Sequence, residues 1–395
     1  MENLEEMILG INGLGRVGKL LLWTQVARKE FGGIIVNLGR EAGNGLNDII
    51  HNIFHYSTYG NLGDYLFGMA NRKEVFVEII DENQKKFRLN GMPVTILTNH
   101  RNPAEVRWNP ASLVVDATGQ FKDPNLAADH GPKGSLRGHL SRESVKKVIV
   151  SCPFKLEKDQ EMPRDATMFI MGINETVYSP KEHLAISSAS CTTTCLSHML
   201  KPLTDAFGTE GLKSLQMLTI HAKTGKQSVL DHMPKEGKTD PVEFRSTQNN
   251  IFISTTGAAK ALKMVMPEIE NVPLSAKSIR VPTVTGSLVV LTASWIADGK
   301  MTDSDFSKKD INNIYKEVAR QGGGSRYLRF SEKPLVSSDI IGSPNVATVI
   351  EGSHTDVVRA GNLVIVTAYG WYDNELGSYV NMLADHVAFV AKSMQ

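Results

Sequence analysis

The stretch GINGLGRVGKLLLW, Gly10 to Trp23, constrains the fold more than any other segment of the chain. It sets Gly13, Gly15 and Gly18 in the spacing G-x-G-x-x-G, directly after the apolar run Met7 to Ile11 and at the start of a helix-like segment. In that position the glycines permit a tight turn and a close approach of backbone to ligand. The helix N-terminus then offers N–H groups to a pyrophosphate. A strand–turn–helix of this kind belongs to a parallel sheet with crossover helices. The reading is therefore a dinucleotide-binding domain, set against the plainer one of a tight turn alone. The next strand ends in VNLGREAG, with Leu38 where a carboxylate for the adenosine ribose is sought. Glu41 is the alternative acid, and Arg40 is a candidate partner for a 2′-phosphate or a solvated loop charge. The sequence leaves NAD and NADP both open.

The rest of the first half has the same character. Short apolar runs at Gly33–Asn37, Leu113–Ala117, Lys147–Ser151 and Thr167–Gly172 alternate with helix-like stretches, as a parallel sheet requires. Two apolar runs between Glu74 and Thr98 flank DENQKK and predict an attached hairpin. Beyond the middle the runs lengthen, at Leu212–His221, Ser287–Ala297 and Leu363–Tyr372, which predicts a mainly antiparallel sheet covered by helices. The fold class expected is thus α/β, a Rossmann-type domain plus an α+β domain, and a length of 395 residues suits two domains. His232–Asn250 reads as a long loop of functional length, and Gly131–Gly138 as a surface insertion.

Lys and Arg number 43 and Asp and Glu 42, so the formal charge of +1 supplies no field for nucleic acid. A small molecule is the expected partner. Apolar runs are strand-sized, below the roughly 18–20 residues that span a bilayer. The start MENLEEMILG carries acidic residues and runs into a strand, unlike a secretory or transit signal. Three cysteines make no disulfide framework, and a cytoplasmic location is expected.

Two of those cysteines lie in SSASCTTTCLSHML. A helix starting near Ser190 places Cys191 in its first turn, where the positive end of the helix dipole favours thiolate. Cys191 is the candidate nucleophile. Cys195, one turn further and followed by Leu196 and Met199, reads as a small core residue. A zinc site would want a second cysteine pair, which the sequence lacks, and no metal is expected. A bond between Cys191 and Cys195 would deform the helix start. A thiol nucleophile needs a base, and His221 closes the strand LKSLQMLTIH; a strand-end histidine with a satisfied hydrogen bond is the plainer reading.

Glycine turn, cysteine stretch and His221 together resemble glyceraldehyde-3-phosphate dehydrogenases. GINGLGRVG and DATG look like the family's cofactor loops, SASCTTTC its nucleophile motif and TIHAKTGKQ its base strand. STTGAAKA and IRVPT look like its phosphate segments, and WYDNELG its C-terminal motif. The resemblance implies that Cys191 attacks an aldehyde with His221 as base, that hydride passes to NAD or NADP, and that phosphate cleaves the thioester. It implies that Asn12, Gly13, Leu14, Gly15, Arg16, Val17, Gly18, Thr118 and Gly119 line the dinucleotide and that Asn374 orients the nicotinamide carboxamide. Thr224 and Arg280 match the substrate-phosphate site; Ser190, Thr192, Thr256 and Gly257 match the site of the attacking phosphate. A homotetramer is implied, with the loop His232–Asn250 near a neighbour's cofactor site.

The chain departs from the family at several places. It is longer, Ser188 and Thr194 stand where asparagines are usual, ELGSY follows an altered order, and Glu243 falls where a phosphate-binding arginine is common, with Arg245 two residues on. The expected activity is oxidation of glyceraldehyde 3-phosphate with inorganic phosphate to 1,3-bisphosphoglycerate. The alternatives are an erythrose-4-phosphate or other aldehyde dehydrogenase that hydrolyses its thioester, and a non-catalytic redox-responsive binding protein. Expected domains are 1–188 for the dinucleotide, 189–371 for catalysis, and a C-terminal segment 372–395, with a helix Val380–Lys392 returning to the first.

Overall fold

A computed structural model describes residues 4–71, 73–98, 100–225, 228–233, 241–297, 306–320, 327–343 and 346–395, without the side chains of Pro241 and Glu243. The described chain forms two compact units, Met1–Ser190 with Val380–Gln395, and Cys191–Tyr379.

In the first unit the strands are β1 (Ile8–Asn12), β2 (Gly33–Asn37), the small pair β3 (His55–Tyr56) and β4 (Gly60–Asn61), β5 (Val77–Asp81), β6 (Lys86–Leu89), β7 (Met92–Leu97), β8 (Leu113–Asp116), β9 (Lys147–Val150), β10 (Ala166–Met168) and β11 (Ala185–Ser187). The described residues build one nine-stranded sheet in the order β10-β11-β9-β8-β1-β2-β7-β6-β5. From β10 to β7 every neighbouring pair is parallel. These strands are buried, Val114, Val115, Val148 and Ile149 completely, as near-continuous apolar runs of a sheet covered on both faces must be. Strand order reverses beside β1, between β2 and β8, and ligands of open parallel sheets bind at such a switch point.

The segment after Glu74 folds further than a single hairpin. DENQKK does join the antiparallel strands β5 and β6, but Asn90 and Gly91 (φ 51° and 85°) turn the chain again. Two positive φ values in a two-residue loop suit Asn-Gly and match strand twist. β7 therefore returns antiparallel to β6 and parallel to β2.

Helix α1 (Arg16–Arg28) is buried from Gly18 to Val26, and Trp23 Nε1 donates to the Ile53 carbonyl of α2 (Leu46–Phe54) at 2.7 Å. The short α3 (Leu62–Phe67) is capped by Asn61, whose side chain accepts from Asp64 N–H. The expected surface insertion is only half one. Residues 131–133 are exposed, whereas Gly134, Ser135, Leu136 and Gly138 are buried. A Cβ on Gly138 would stand 2.7 Å from Ala104 N, so the short helix α4 (Arg137–Leu140) packs as core. Arg137 grips Asp165 with two nitrogens at 2.8 and 2.7 Å, and these bonds hold the Asp165 carboxyl below its usual range. The C-terminal helix Asn381–Lys392 belongs to this unit, joined through Arg28–Asp385 (2.7 Å) and Tyr178–Ser393 (3.0 Å).

The second unit opens with α5 (Cys191–Phe207) and continues through β12 (Leu212–Ala222), β13 (Phe252–Ser254), α6 (Ala258–Val265), β14 (Leu274–Val281), β15 (Ser287–Ile296), α7 (Lys308–Arg320), β16 (Leu328–Ser331), α8 (Ser337–Ile340), β17 (Thr348–Glu351), β18 (Asp356–Ala360) and β19 (Leu363–Tyr372). Its sheet runs β13-β14-β12-β15-β19-β17-β16, with β18 beside β19, and is antiparallel except for β12–β14 and β16–β17. The expected mainly antiparallel sheet is present. Its long central strands β15 and β19 alternate strictly: Val289, Leu291, Ala293 and Trp295 of β15 are buried on the face met by α5, while Leu288, Val290, Thr292 and Ser294 are half-exposed on the other.

Candidate active site

Three strand ends meet in register at the switch point of the first unit. Asn12 pairs with Asn37 on one side and with Asp116 on the other. All three are buried, Asp116 to 1% exposure, so their polar atoms must satisfy one another. The Asp116 carboxylate accepts from Asn12 Nδ2 (2.6 Å), His139 Nε2 (3.1 Å), Thr118 N (3.0 Å) and Thr118 Oγ1 (2.6 Å). Asn12 Oδ1 in turn accepts from Asn37 Nδ2 (2.8 Å). The residues that follow these strand ends line a cavity of about 600 Å³: Gly13, Leu14, Gly15 and Thr118, with Leu38, Arg40 and Asp48.

The glycines sort by function there. Gly13 has φ 93°, and a Cβ on Gly18 would lie 1.9 Å from Gly13 O, so neither position accepts a side chain. Around a Cβ on Gly15, the residue capping α1, nothing comes within 4 Å. That backbone is open to a ligand, and the cradle fits the pyrophosphate of a dinucleotide. Of the residues expected to line the dinucleotide, Gly13, Leu14, Gly15 and Thr118 meet at the cavity. Asn12, Arg16, Val17, Gly18 and Gly119 are not among its lining residues: the Asn12 side chain bonds Asp116, Arg16, Val17 and Gly18 form the first turn of α1, and Gly119 follows Thr118 at φ 65°. Glu41 does not turn toward the cavity: Lys85 Nζ holds it at 3.1 Å and Thr98 Oγ1 at 2.7 Å.

In the second unit α5 starts at Cys191 itself, so the thiol occupies the first helical turn. Its Sγ lies 3.8 Å from His221 Nε2. His221 Nδ1 lies 2.6 Å from the Ala222 carbonyl, which only accepts, so the ring proton sits on Nδ1 and the Nε2 lone pair faces the thiol. Arg280 sits opposite His221 in the parallel β12–β14 pair. Its Nη1 donates to the same Ala222 carbonyl and its Nε to Ser254 Oγ, both at 3.3 Å. One carbonyl thus orients the base and the cation together.

Cys195 is the opposite case, fully buried against Thr348 Oγ1 (3.3 Å) and Gly370 O (3.6 Å). Burial pushes its thiol far up, and it is a core residue as expected. Thr192 is buried, its hydroxyl 2.9 Å from Tyr372 Oη, which also reaches Thr219 Oγ1 at 2.9 Å. Tyr372 thereby ties the start of α5 to β12, and its ring meets that of His221 edge-on at 6.1 Å. Sequence reasoning missed this tyrosine, although it stands two residues before Asn374.

Asn374 Oδ1 accepts from Ser287 Oγ at 3.1 Å and lies 3.0 Å from the Thr285 hydroxyl, which also reaches Asp373 Oδ1 at 2.6 Å. Thr256 and Gly257 lead into α6, with Thr256 Oγ1 accepting from Ala258 N at 3.2 Å. They follow Ser254, so Arg280 is tied to their strand. Thr224 is half-buried just past β12, and Ser190 is half-buried at the end of the first unit's long segment. Arg245 is exposed and pairs with Asp231 at 3.7 Å. The Glu243 side chain and residues 234–240 of the long loop lie outside the described residues.

Comparison with known proteins adds the family. Residues 190–374 match the family described as glyceraldehyde 3-phosphate dehydrogenase, C-terminal domain. The glyceraldehyde-3-phosphate dehydrogenase of Priestia megaterium is 33% identical over 385 residues, 97% of this chain and 98% of its own length. Glyceraldehyde-3-phosphate dehydrogenase 1 of Bacillus subtilis is 33% identical over 97% of this chain and 98% of its own, and the cytosolic enzyme of Pisum sativum 33% over 98% of each. With likeness running end to end, and with a thiol, an imidazole and a glycine-turn crevice built as that chemistry needs, the chain belongs to the glyceraldehyde-3-phosphate dehydrogenase family, a family of oxidoreductases.

Proposed function

We propose that the chain oxidises glyceraldehyde 3-phosphate, with inorganic phosphate and NAD or NADP, to 1,3-bisphosphoglycerate. The observation that carries this is the 3.8 Å approach of Cys191 Sγ to an imidazole nitrogen whose lone pair is turned toward it. His221 takes the thiol proton as sulfur adds to the aldehyde carbon. It returns that proton to the carbonyl oxygen, giving the thiohemiacetal hydroxyl, and takes it back as the C–H bond breaks. The dinucleotide, when bound, supplies the acceptor for that hydride. A thioester on Cys191 remains, and a phosphate oxygen displaces the thiolate to give the acyl phosphate. Arg280 and Thr224 serve the substrate phosphate, and Ser190, Thr192, Thr256 and Gly257 the incoming one. The engaged hydroxyl of Thr192 supports a role through its backbone N–H at the start of α5. Asn374, its Oδ1 held by Ser287, serves the carboxamide.

The test is NAD(P)H formation with and without inorganic phosphate. Strict phosphate dependence is expected; equal turnover without phosphate would assign the thioester to water and the activity to the hydrolytic alternative. At the ribose end Leu38 supplies no carboxylate, Glu41 is held by Lys85, Asp48 accepts from Asn44 N–H, and Arg40 lines the cavity. This supports acceptance of a 2′-phosphate. Arg40→Ala should raise KM for NADP about tenfold and leave that for NAD nearly unchanged.

The assembly we propose is a homotetramer located in the cytoplasm, built from the domains 1–188, 189–371 and 372–395. Leu218, Ile220, Val290, Ile365 and Tyr369 share the half-exposed face of the second sheet with the exposed Val358. An apolar face of that kind supports coverage by a second copy, and light scattering would read the assembly directly. No helix among the described residues is long and apolar enough to cross a membrane.

A further inference from the structure

Behind the crevice runs a buried polar chain that none of the residues above needs for chemistry. It begins at Trp108, whose Nε1 donates to His139 Nδ1 at 3.0 Å, both residues fully buried. An indole N–H only donates. His139 Nδ1 must therefore accept, its proton sits on Nε2, and Nε2–H donates to Asp116 Oδ2. Asn12 turns its Nδ2 toward Asp116 Oδ2 and its Oδ1 toward Asn37 Nδ2. Asn37 must then present Oδ1 outward, where it accepts from Gly39 N at 3.3 Å while Nδ2 also reaches the His100 carbonyl at 2.8 Å. Partners with a single role sit at both ends: Trp108 Nε1 and the Gly39 N–H only donate, and the His100 carbonyl only accepts. The chain ends on two backbone N–H groups, those of Thr118 and Gly39, on the two loops that border the cavity.

We infer that His139 is a positioning residue for dinucleotide binding: bonded to Trp108 behind and to Asp116 Oδ2 in front, it holds the carboxylate on which Asn12 and the Thr118 loop are anchored, and through Asn12 and Asn37 the Leu38 loop. This rests on the proposed dinucleotide role of the crevice. His139 itself reaches no ligand: it lies on α4, fully buried, with Trp108 and Asp116 on its two nitrogens. Its influence is on affinity, since binding to unpositioned loops must order them first. Leucine fills the site without either hydrogen bond. Glutamine offers Nε2–H to Asp116 and Oε1 to Trp108 and so keeps both bonds.

The experiment is calorimetric titration of the full-length protein with ADP-ribose and with its 2′-phosphate, which need no turnover. It is run well below the melting temperature of each variant, with steady-state KM and kcat alongside. His139→Leu is expected to weaken the better of the two ligands about tenfold or more, raise cofactor KM in parallel and leave kcat within about twofold. His139→Gln should remain within about threefold of the unaltered protein. Alkylation of Cys191 by iodoacetamide should proceed at the same rate in all three, showing the second unit intact. Unchanged affinity in His139→Leu would overturn the inference, as a purely structural residue lowers the melting point but not the affinity of folded molecules. Equal weakening in the leucine and glutamine variants would overturn it too, because packing would then matter and the bonds to Trp108 and Asp116 would not. If the unaltered protein bound neither ligand, the dinucleotide reading itself would fall, and the inference with it.

Discussion

The two units hold their working parts at strand ends by opposite means. In the first, side chains position backbone: Asp116, Asn12 and Asn37 fix the N–H groups of Thr118 and Gly39 around an open glycine turn. In the second, backbone positions side chains: the Ala222 carbonyl aims both His221 and Arg280, and the first turn of α5 carries Cys191. A surface made of main chain is sensitive to added bulk. A site made of side chains is sensitive to the loss of single atoms. Substitutions should therefore separate the units cleanly, binding failing in one and chemistry in the other.

The largest separation is expected at Cys191. Cys191→Ala removes the proposed nucleophile and should lower kcat at least about 10⁴-fold, while ADP-ribose binding, proposed for the first unit, should stay unchanged by calorimetry. His221→Asn should cost about 10²–10⁴-fold and slow Cys191 alkylation by iodoacetamide at neutral pH. An alkylation rate equal to that of the unaltered protein would remove His221 as the base. Next comes the matching break in the first unit. Gly18→Ala forces a Cβ against Gly13 O, 1.9 Å away, and should destabilise that unit by about 3 kcal/mol. It should also weaken ADP-ribose, with the alkylation rate preserved. Preserved ADP-ribose affinity would show that the turn relaxes without loss of the cradle.

The same contrast explains what the sequence discloses. Backbone devices leave a local pattern, so the glycine turn, the parallel sheet around it and the alternating strands of the second sheet were all readable. Cys191 was readable too, because a helix start is local. His221, Arg280 and Asn374 lie 30, 89 and 183 residues beyond it in the chain, and only family resemblance joined them. His139 and Trp108 left no signal: a buried histidine and a buried tryptophan look like core in any pattern, and their pairing depends on a turn between Pro103 and α4 that no periodicity encodes. The segment 131–138 was misread for a related reason. Its glycines suggested an exposed loop, but Gly138 is glycine because Ala104 N leaves no room for a side chain. Ser287 escaped notice because it opens a strand, where its hydroxyl substitutes for the ladder: the β12–β15 pairing ends at Ile220–Leu288, and the Ala222 N–H goes to Ser287 Oγ at 3.1 Å.

The smallest effect tests which unit yields first in acid. His386, on the C-terminal helix of the first unit, is 2% exposed and stacks on Phe169 at 3.9 Å. Burial pushes its pKa down from 6.5 to about 3. The sign follows directly. Between those values the unfolded chain binds a proton that the folded one refuses, so stability present above pH 6.5 is lost as pH falls toward 3, by roughly 1.4 kcal/mol per unit at most. His386→Leu cannot take up that proton in either state. It should cost no more than about 1 kcal/mol at pH 7 through the lost stacking, and its melting temperature should fall less steeply between pH 6 and 4. If the units melt separately, only the transition reporting the first should flatten. A flattened transition in the second unit, or an unchanged slope, would mean that His386 is not the group that makes the dinucleotide unit acid-labile.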